Sequence, residues 1–427
     1  MDFDKKRFLL ITIACIIYGI GYYDRNCPGV LLKQMAESFN RTVPEMGQLS
    51  STYFWSYAIV QPLIGSFSDL FDTSYIVSAA LVLSSGGMLL CATSKSFYLT
   101  CASRLLVGLG CGCIYVPVCR AFAQWFSPAA FPYAQSFIIA CGGLGGLLAQ
   151  GPIGSFSLKY GWPPAFYIGS ALSIVFSVIA YFVLEGTPEG KMKREKSPKQ
   201  VFSDLFRNIV EISKHYEFWL LASWKFLTPS TYTSVSSTWG SSYMQMGFNY
   251  DQTKASHFIS MTSFAWTVGA PLLALVTNLV KSRKLVIISC TFIASITAYL
   301  FYMIKSPPNE TVLQIYLFVF ALSSGSSLTV SAIYFKELLT KDLVGTLMGC
   351  GNMFMLLGTS IEQYITGEIL KNSVLPNKKY PLSAYRTGLW LLSFISITIS
   401  LIPLSVLKDT YQKSMNEPSQ NEPLLDK

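Results

Sequence analysis

A few charged side chains stand deep inside stretches otherwise apolar enough to enter lipid, and any chemistry in this chain is expected there. Asp24 and Arg25 follow the run FLLITIACIIYGIGYY, Arg104 lies in RLLVGLGCGCIYVPVC, Lys225 follows Trp224 in FWLLASWKFL, and Glu362 stands beside Gln363. A charge at mid-bilayer costs about 2.5–3.5 kcal/mol on insertion scales, so each must lie near a surface, hold a partner or serve a solute. At 1.5 Å of rise per residue, Asp24 and Arg25 lie roughly 10–12 Å below the far end of their apolar run, and Arg104 enters its own run to a similar depth. Adjacent helical residues point about 100° apart, so Asp24 is expected to pair with Arg104 while Arg25 faces a cavity or snorkels to the interface.

Lys225, with Pro229 and Tyr232 downstream, either reaches a cavity or snorkels to the headgroups on its own side. Glu362, with Asn352 and Tyr364 nearby, could carry a proton, bind an amine or hold a helix contact. Tyr53, Tyr57 and Gln61 recur at four-residue spacing and form one polar stripe, and His257 falls at an interface.

The elements that must position these groups follow from composition. The chain of 427 residues is 51% hydrophobic and only 13% charged, against about 25% charged in soluble domains. An all-α polytopic membrane protein is expected. A spanning helix needs about 20 mainly apolar residues, and twelve candidates fall near 8–32, 46–68, 75–94, 97–120, 133–156, 163–184, 217–240, 256–280, 284–304, 311–335, 344–370 and 386–407. They are called spans 1 to 12 below. The polar stretch EGTPEGKMKREKSPKQVFSDLFRNIVEISKH divides them six and six. The expected organisation is a first bundle over 1–184, a cytoplasmic linker over 185–216 with an amphipathic helix near 202–212, a second bundle over 217–407 and a tail over 408–427. The first run lacks a small-residue cleavage site after it and reads as a retained helix.

The net charge of +9 comes from Lys and Arg gathered between spans. Nearly twice as many lie on the side of the termini as on the other, which places both termini in the cytoplasm. No basic face or aromatic-basic module points to nucleic acid. The ten cysteines show no metal-ligand spacing and sit mostly in apolar runs, so neither a metal site nor a disulfide framework is indicated. Asn40-Arg41-Thr42 and Asn309-Glu310-Thr311 match the glycosylation pattern and fall in loops on the side away from the termini. No phosphate loop, G-x-S-x-G elbow, H-E-x-x-H or dinucleotide fingerprint is present in a suitable setting, so no enzyme and no cofactor are expected.

Four motifs carry a family resemblance. GSFSDLF after span 2 holds Gly65 and Asp69, with Asp72, Thr73 and Ser74 where basic residues usually follow; span 4 fits R-x-x-x-G-x-G through Arg104, Gly108 and Gly110. Span 5 carries GGLGGLLAQGPIG with Gly151-Pro152 and Gly154, and span 1 ends in YYDR. A weaker second-half copy of the first motif, GAPLLALVTNLVKSRK, places Gly269 and Asn278 before Lys281, Arg283 and Lys284. Over nearly its whole length the chain resembles the major facilitator superfamily, and YYDR is similar to the span 1 ending of that family's anion and sugar-acid transporters.

The resemblance implies twelve helices in two pseudo-symmetric six-helix bundles, with spans 1, 4, 7 and 10 lining a central cavity. It would gather Tyr22, Tyr23, Arg25, Tyr115, Lys225 and Tyr232 around a solute, with Tyr334 nearby. Asp24, Arg104, Asp69 and Glu362 would then serve coupling or gating, Asp69 as a latch at the cytoplasmic end of span 2. The expected function is transport of a small organic anion, amino acid or dipeptide by rocker-type alternating access, as a monomer and with protons as a possible coupling ion. A solute receptor of the same fold is the alternative. The membrane is expected to be the plasma membrane or the endolysosomal membrane. For the second, the tail SQNEPLLDK offers Leu424-Leu425 as a sorting signal, with Gln420 where an acidic residue is usual.

Overall fold

A computed structural model describes residues 3–68, 70–127, 130–191, 197–338, 343–374 and 380–410. Asp69 and the Leu424-Leu425 signal lie outside the described residues. Within them the chain is helical throughout, with no strand. Five of the spans begin at a side chain that accepts a backbone N–H of the first turn, as short polar caps do. Asp72 takes the Ser74 amide, Ser96 the Leu99 amide, Asp251 the Lys254 amide, Ser282 the Leu285 amide and Asn309 the Thr311 amide. The linker helix, Pro198–Ser213, opens on a reciprocal Ser197–Gln200 capping box.

Twelve spans form, several with limits other than the hydropathy suggests. Span 1 runs Phe3–Ser38, well beyond 8–32, with Pro28 inside it. Proline removes the N–H that would serve the carbonyl four residues back, here that of Asp24. Spans 2, 3, 5 and 6 are Met46–Phe67, Thr73–Thr93, Phe131–Tyr160 and Pro163–Val183. Span 4 is two pieces, Phe97–Gly112 and Tyr115–Trp125, because glycines precede the turn and Pro117 follows it. Spans 8, 9 and 11 are Gln252–Val280, Arg283–Met303 and Val344–Lys371.

The remaining second-half spans are irregular. Span 7 consists of Tyr216–Leu227, a break at Thr228 before Pro229, then Pro229–Ser234 and wide turns at Val235–Trp239 and Tyr243–Gly247. Similar π-type turns fall at Ala321–Gly325 in span 10 and Arg386–Leu391 in span 12. Such turns leave a carbonyl short of its usual donor and recur at functional positions.

Nine helices among the described residues are long and apolar enough to cross a membrane. Spans 2, 7 and 11 are the exceptions, and each carries polar groups to the seam between the halves. Gln61, Ser51, Thr233, Ser236, Ser237, Ser360 and Gln363 on them are all buried. A helix packed on protein needs no apolar coat, so it reads weakly on a hydropathy scale. Spans 1 with 5, 3 with 6, and 2 with 4 pack the first six together; 9 with 12, 7 with 11, and 8 with 10 pack the last six. Across the seam, span 2 lies along span 11, span 5 along span 8, and span 1 against the wide turns of span 7.

Because twelve spans alternate in direction, the first and last described residues share one face, called here the chain-end face. The linker is on it too: Lys6 lies 4.0 Å from Glu185, and Phe67 meets Phe202 of the linker helix edge to face. Asn40 and Asn309 are exposed in loops at the opposite face, where Lys254 and Glu310 pair at 2.6 Å.

Candidate solute site between the two halves

Arg25 reaches the seam. It is 8% exposed, and its Nη2 donates to Thr233 Oγ1 of span 7 at 3.1 Å. Thr233 is fixed in turn by donating to the Pro229 carbonyl, 3.0 Å away. The guanidinium lies over the rings of Tyr22 and Phe54, 5.2 and 5.1 Å from their centroids, a setting that holds a planar cation while leaving its edge free. No carboxylate oxygen of a described residue lies within 4 Å of it.

Around Arg25 lies a narrow cavity with a free volume of about 20 Å³, room for about one water molecule. Tyr22, Asn26, Tyr232, Ser236, Ser263 and Trp266 supply most of its polar and aromatic lining. Tyr22 stacks on Trp266 of span 8 across the seam, centroids 5.0 Å apart and planes 22° apart. Gln150 of span 5, fully buried, donates to the Ser236 carbonyl and accepts from Ser263 Oγ, both at 2.8 Å. It therefore sets two lining residues of the second half from the first. The Ser236 carbonyl is available because it belongs to a wide turn. Gln150, Asn26, Ser263 and Trp266 carry no charge, and nothing in their spacing distinguishes them from ordinary span residues.

The other expected site residues divide sharply. Tyr22 and Tyr232 line the cavity with Arg25, but Tyr23 does not: one residue on, it turns into the first half and donates from Oη to the Ala165 carbonyl at 2.8 Å. Tyr115 is held by Gln135 at 3.0 Å and by the Tyr18 ring, outside the cavity lining. Tyr334 is buried in a separate apolar cluster of the second half. Lys225 neither lines the cavity nor reaches the headgroups. It is 1% exposed and donates to Asn352 Oδ1 at 2.9 Å, over the Phe335 ring. Glu362 accepts from Ser393 Oγ of span 12 at 3.3 Å and is not among the residues that line the cavity.

Asp24 and Arg104 do come together, but not as the expected ion pair. The Asp24 carboxylate accepts from Ser84 at 2.8 Å and from Ser173 at 3.2 Å. Arg104 instead donates from Nη1 to the Asp24 carbonyl at 3.0 Å, beneath the Tyr53 ring. Pro28 explains this, since its missing N–H leaves that carbonyl without its intrahelical donor. Removing the guanidinium would strand a buried carbonyl beside a buried carboxylate. Arg104→Leu is therefore expected to lower the thermal-unfolding midpoint by the equivalent of about 1–3 kcal/mol. Asp24→Asn should be milder alone and recover part of the loss in the Arg104→Leu background, checked by a double-mutant cycle in detergent.

The loop signatures also resolve. Asp72, in place of a basic residue, takes the Ser74 amide and hydroxyl and the Gly186 amide, tying the start of span 3 to the end of span 6. In the second-half copy, Arg283 joins Asn278 Oδ1 at 3.0 Å and Glu337 at 3.0 Å. The span 5 glycines serve two faces. An added Cβ on Gly145 would stand 2.0 Å from the Gly19 carbonyl of span 1, whereas one on Gly143 would meet Thr267 of span 8.

The profile of the Major Facilitator Superfamily matches residues 14–361. The chain belongs to that superfamily. Among curated relatives it is 24% identical over 185 residues to a probable sulfoacetate transporter of Cupriavidus necator, a match covering 43% of each chain. It is 22% identical over 303 residues to a galacturonate transporter of Dickeya chrysanthemi, covering 66% of this chain and 87% of that one. The chain thus aligns with under half the length of the first of these. A solved bacterial homologue of the human lysosomal transporter Spinster, in an inward-facing and unoccupied conformation, superposes with a TM-score of 0.70 at 16% identity over 94% of this superfamily member and 96% of its own chain. These findings make the protein a multi-pass membrane protein of a transporter family, with the all-α twelve-helix fold.

Proposed function

We propose that this superfamily member carries a small organic anion across its membrane, binding it at Arg25 in the cavity between the halves. The single observation that carries the reading is a buried guanidinium at the seam with, among the described residues, one hydroxyl partner and no carboxylate beside it. Most of its five N–H donors remain for a bound group, and a carboxylate or sulfonate accepts two at once. The aromatic pair Tyr22 and Trp266 offers a flat wall for the body of the solute, and Asn26, Ser236 and Ser263 offer hydrogen bonds to hydroxyls. Sulfoacetate and galacturonate, the solutes in the relatives' names, are both anions of this kind. An amino acid or dipeptide would also need an acceptor for its ammonium, and no carboxylate is among the described lining residues.

Transport would proceed by rocking of the halves about spans 2, 5, 8 and 11, exposing the cavity to one face and then the other. Both termini would face the cytoplasm, which puts Asn40 and Asn309 on the glycan-accepting side. Uptake by proteoliposomes from a panel of sugar acids, sulfonates and dipeptides, with and without a pH gradient, tests the reading. Accumulation of acids but not dipeptides is expected. Binding with no flux would instead make the protein a solute receptor, and uptake confined to dipeptides would refute the anion assignment. A rate indifferent to the pH gradient would exclude proton coupling.

A further inference from the structure

Side-chain hydrogen bonds join the halves at both ends of the seam. Toward the opposite face, Gln34 of span 1 donates to Gln252 of span 8 at 3.0 Å, Gln252 donates to Ser157 of span 5 at 2.7 Å, and Ser360 of span 11 donates to the Ser51 carbonyl of span 2 at 3.1 Å. Gln150 adds its two bonds beside the cavity. Toward the chain-end face, a single side-chain hydrogen bond among the described residues joins the halves, from Asn352 Nδ2 of span 11 to Gln61 Oε1 of span 2 at 3.4 Å.

That bond is the middle of a directed chain. Lys225 is a donor only, so Asn352 must present its oxygen to it and turn its NH₂ toward span 2. The Gly112 carbonyl is an acceptor only, so Gln61 must turn its NH₂ there, at 3.0 Å, and present its oxygen to Asn352. Neither amide can flip without losing its fixed partner, and the polarity runs from the ammonium in span 7 through spans 11 and 2 to the broken turn of span 4. Gly349 lets the two spans meet here, since an added Cβ would lie 2.6 Å from the Gln61 carbonyl oxygen. The chain stands about one helical turn from the cavity, whose lining includes Pro229, four residues after Lys225, and Met355, three after Asn352.

We infer that Lys225, Asn352 and Gln61 form the gate of the chain-end face: the Asn352–Gln61 bond holds this end shut, and Lys225 is the positioning residue that aims the Asn352 amide across the seam. The gate rests on the transporter reading, but its test needs no solute, so failure of the gate and failure of the anion assignment are distinguishable. Breaking the Asn352–Gln61 bond leaves Lys225 and Asn352 paired within the second half.

Hydrogen–deuterium exchange of the purified full-length protein in nanodiscs reads this directly. Gln61→Leu and Asn352→Leu should each raise exchange rates in peptides from 57–67 and 344–353 by roughly two- to tenfold, the loss of one neutral hydrogen bond. Peptides from 28–38 and 235–247, at the opposite face, should be unchanged or slower. Lys225→Met should act in the same direction but less, because the Asn352 amide can still visit the bonding orientation. If Asn352→Leu folds poorly with an orphaned ammonium, the Lys225→Met/Asn352→Leu double variant removes that charge and must still open the chain-end face. Unchanged exchange near Gln61 in the folded variants, or an equal rise at both faces, would overturn the gate.

Discussion

Replacing Arg25 by alanine is expected to abolish saturable uptake of the anion while leaving the folded yield near that of the parent. A hydrogen bond to a charged group is worth about 1.5–3 kcal/mol, and two made side by side to one carboxylate place the loss at roughly hundredfold or more in affinity. The guanidinium lies over the Tyr22 and Phe54 rings, and its one hydrogen bond to the second half among the described residues is to Thr233. Its removal therefore takes away one hydroxyl contact of the fold and the whole charge of the cavity wall. Arg25→Lys separates charge from shape. A lysine keeps the charge but presents a single compact donor group, which cannot hold Thr233 and a planar acid together, so partial recovery is expected. Binding measured by thermal shift alongside uptake decides the matter: an alanine variant that binds the acid as tightly as the parent removes Arg25 from the site.

Gly29→Ala should stop transport by another route. Gly29 faces span 7, and an added Cβ would stand 2.3 Å from the Ser237 carbonyl oxygen and 2.7 Å from its carbon. Backbone meets backbone there, so no side chain can rotate away, and one methyl group must part the halves at the opposite face. Transport is expected to fall roughly five- to hundredfold, since a 1–3 kcal/mol overpacking penalty acts on the closed form alone. Exchange should rise in 28–38 and 235–247 and not near the chain-end gate. Gly145→Ala is the control. Its clash is as severe, 2.0 Å from the Gly19 carbonyl, but both partners lie in the first half, so it should lower the unfolding midpoint without favouring either face. Equal exchange profiles for the two variants would sink the distinction.

Particular residues show how far a sequence can be read. Composition and span length were enough for an all-helical membrane protein of twelve spans, because hydropathy reports burial in lipid directly. Spans 2, 7 and 11 read weakly for the same reason, since their polar faces meet protein. Arg25 stood out because an unexplained charge in an apolar run is costly wherever the chain folds. Tyr23 and Lys225 were placed beside it by span membership alone, and membership does not fix which way a side chain points. One residue of rotation sends Tyr23 into span 6, and one turn of depth sends Lys225 below the cavity.

What the sequence by itself determined is therefore the inventory: twelve spans, a superfamily, and a short set of buried charges that had to find partners. Tertiary structure decided the partners. Arg104 serves the Asp24 carbonyl because Pro28 takes away its helical donor, and Lys225 aims an amide at Gln61 because span 11 happens to pass between spans 2 and 7. Hydropathy is a property of each residue and accumulates along the chain, so it survives in the sequence. A hydrogen bond across a seam depends on the rotation and depth of two helices set by all their neighbours, and no local spacing records that.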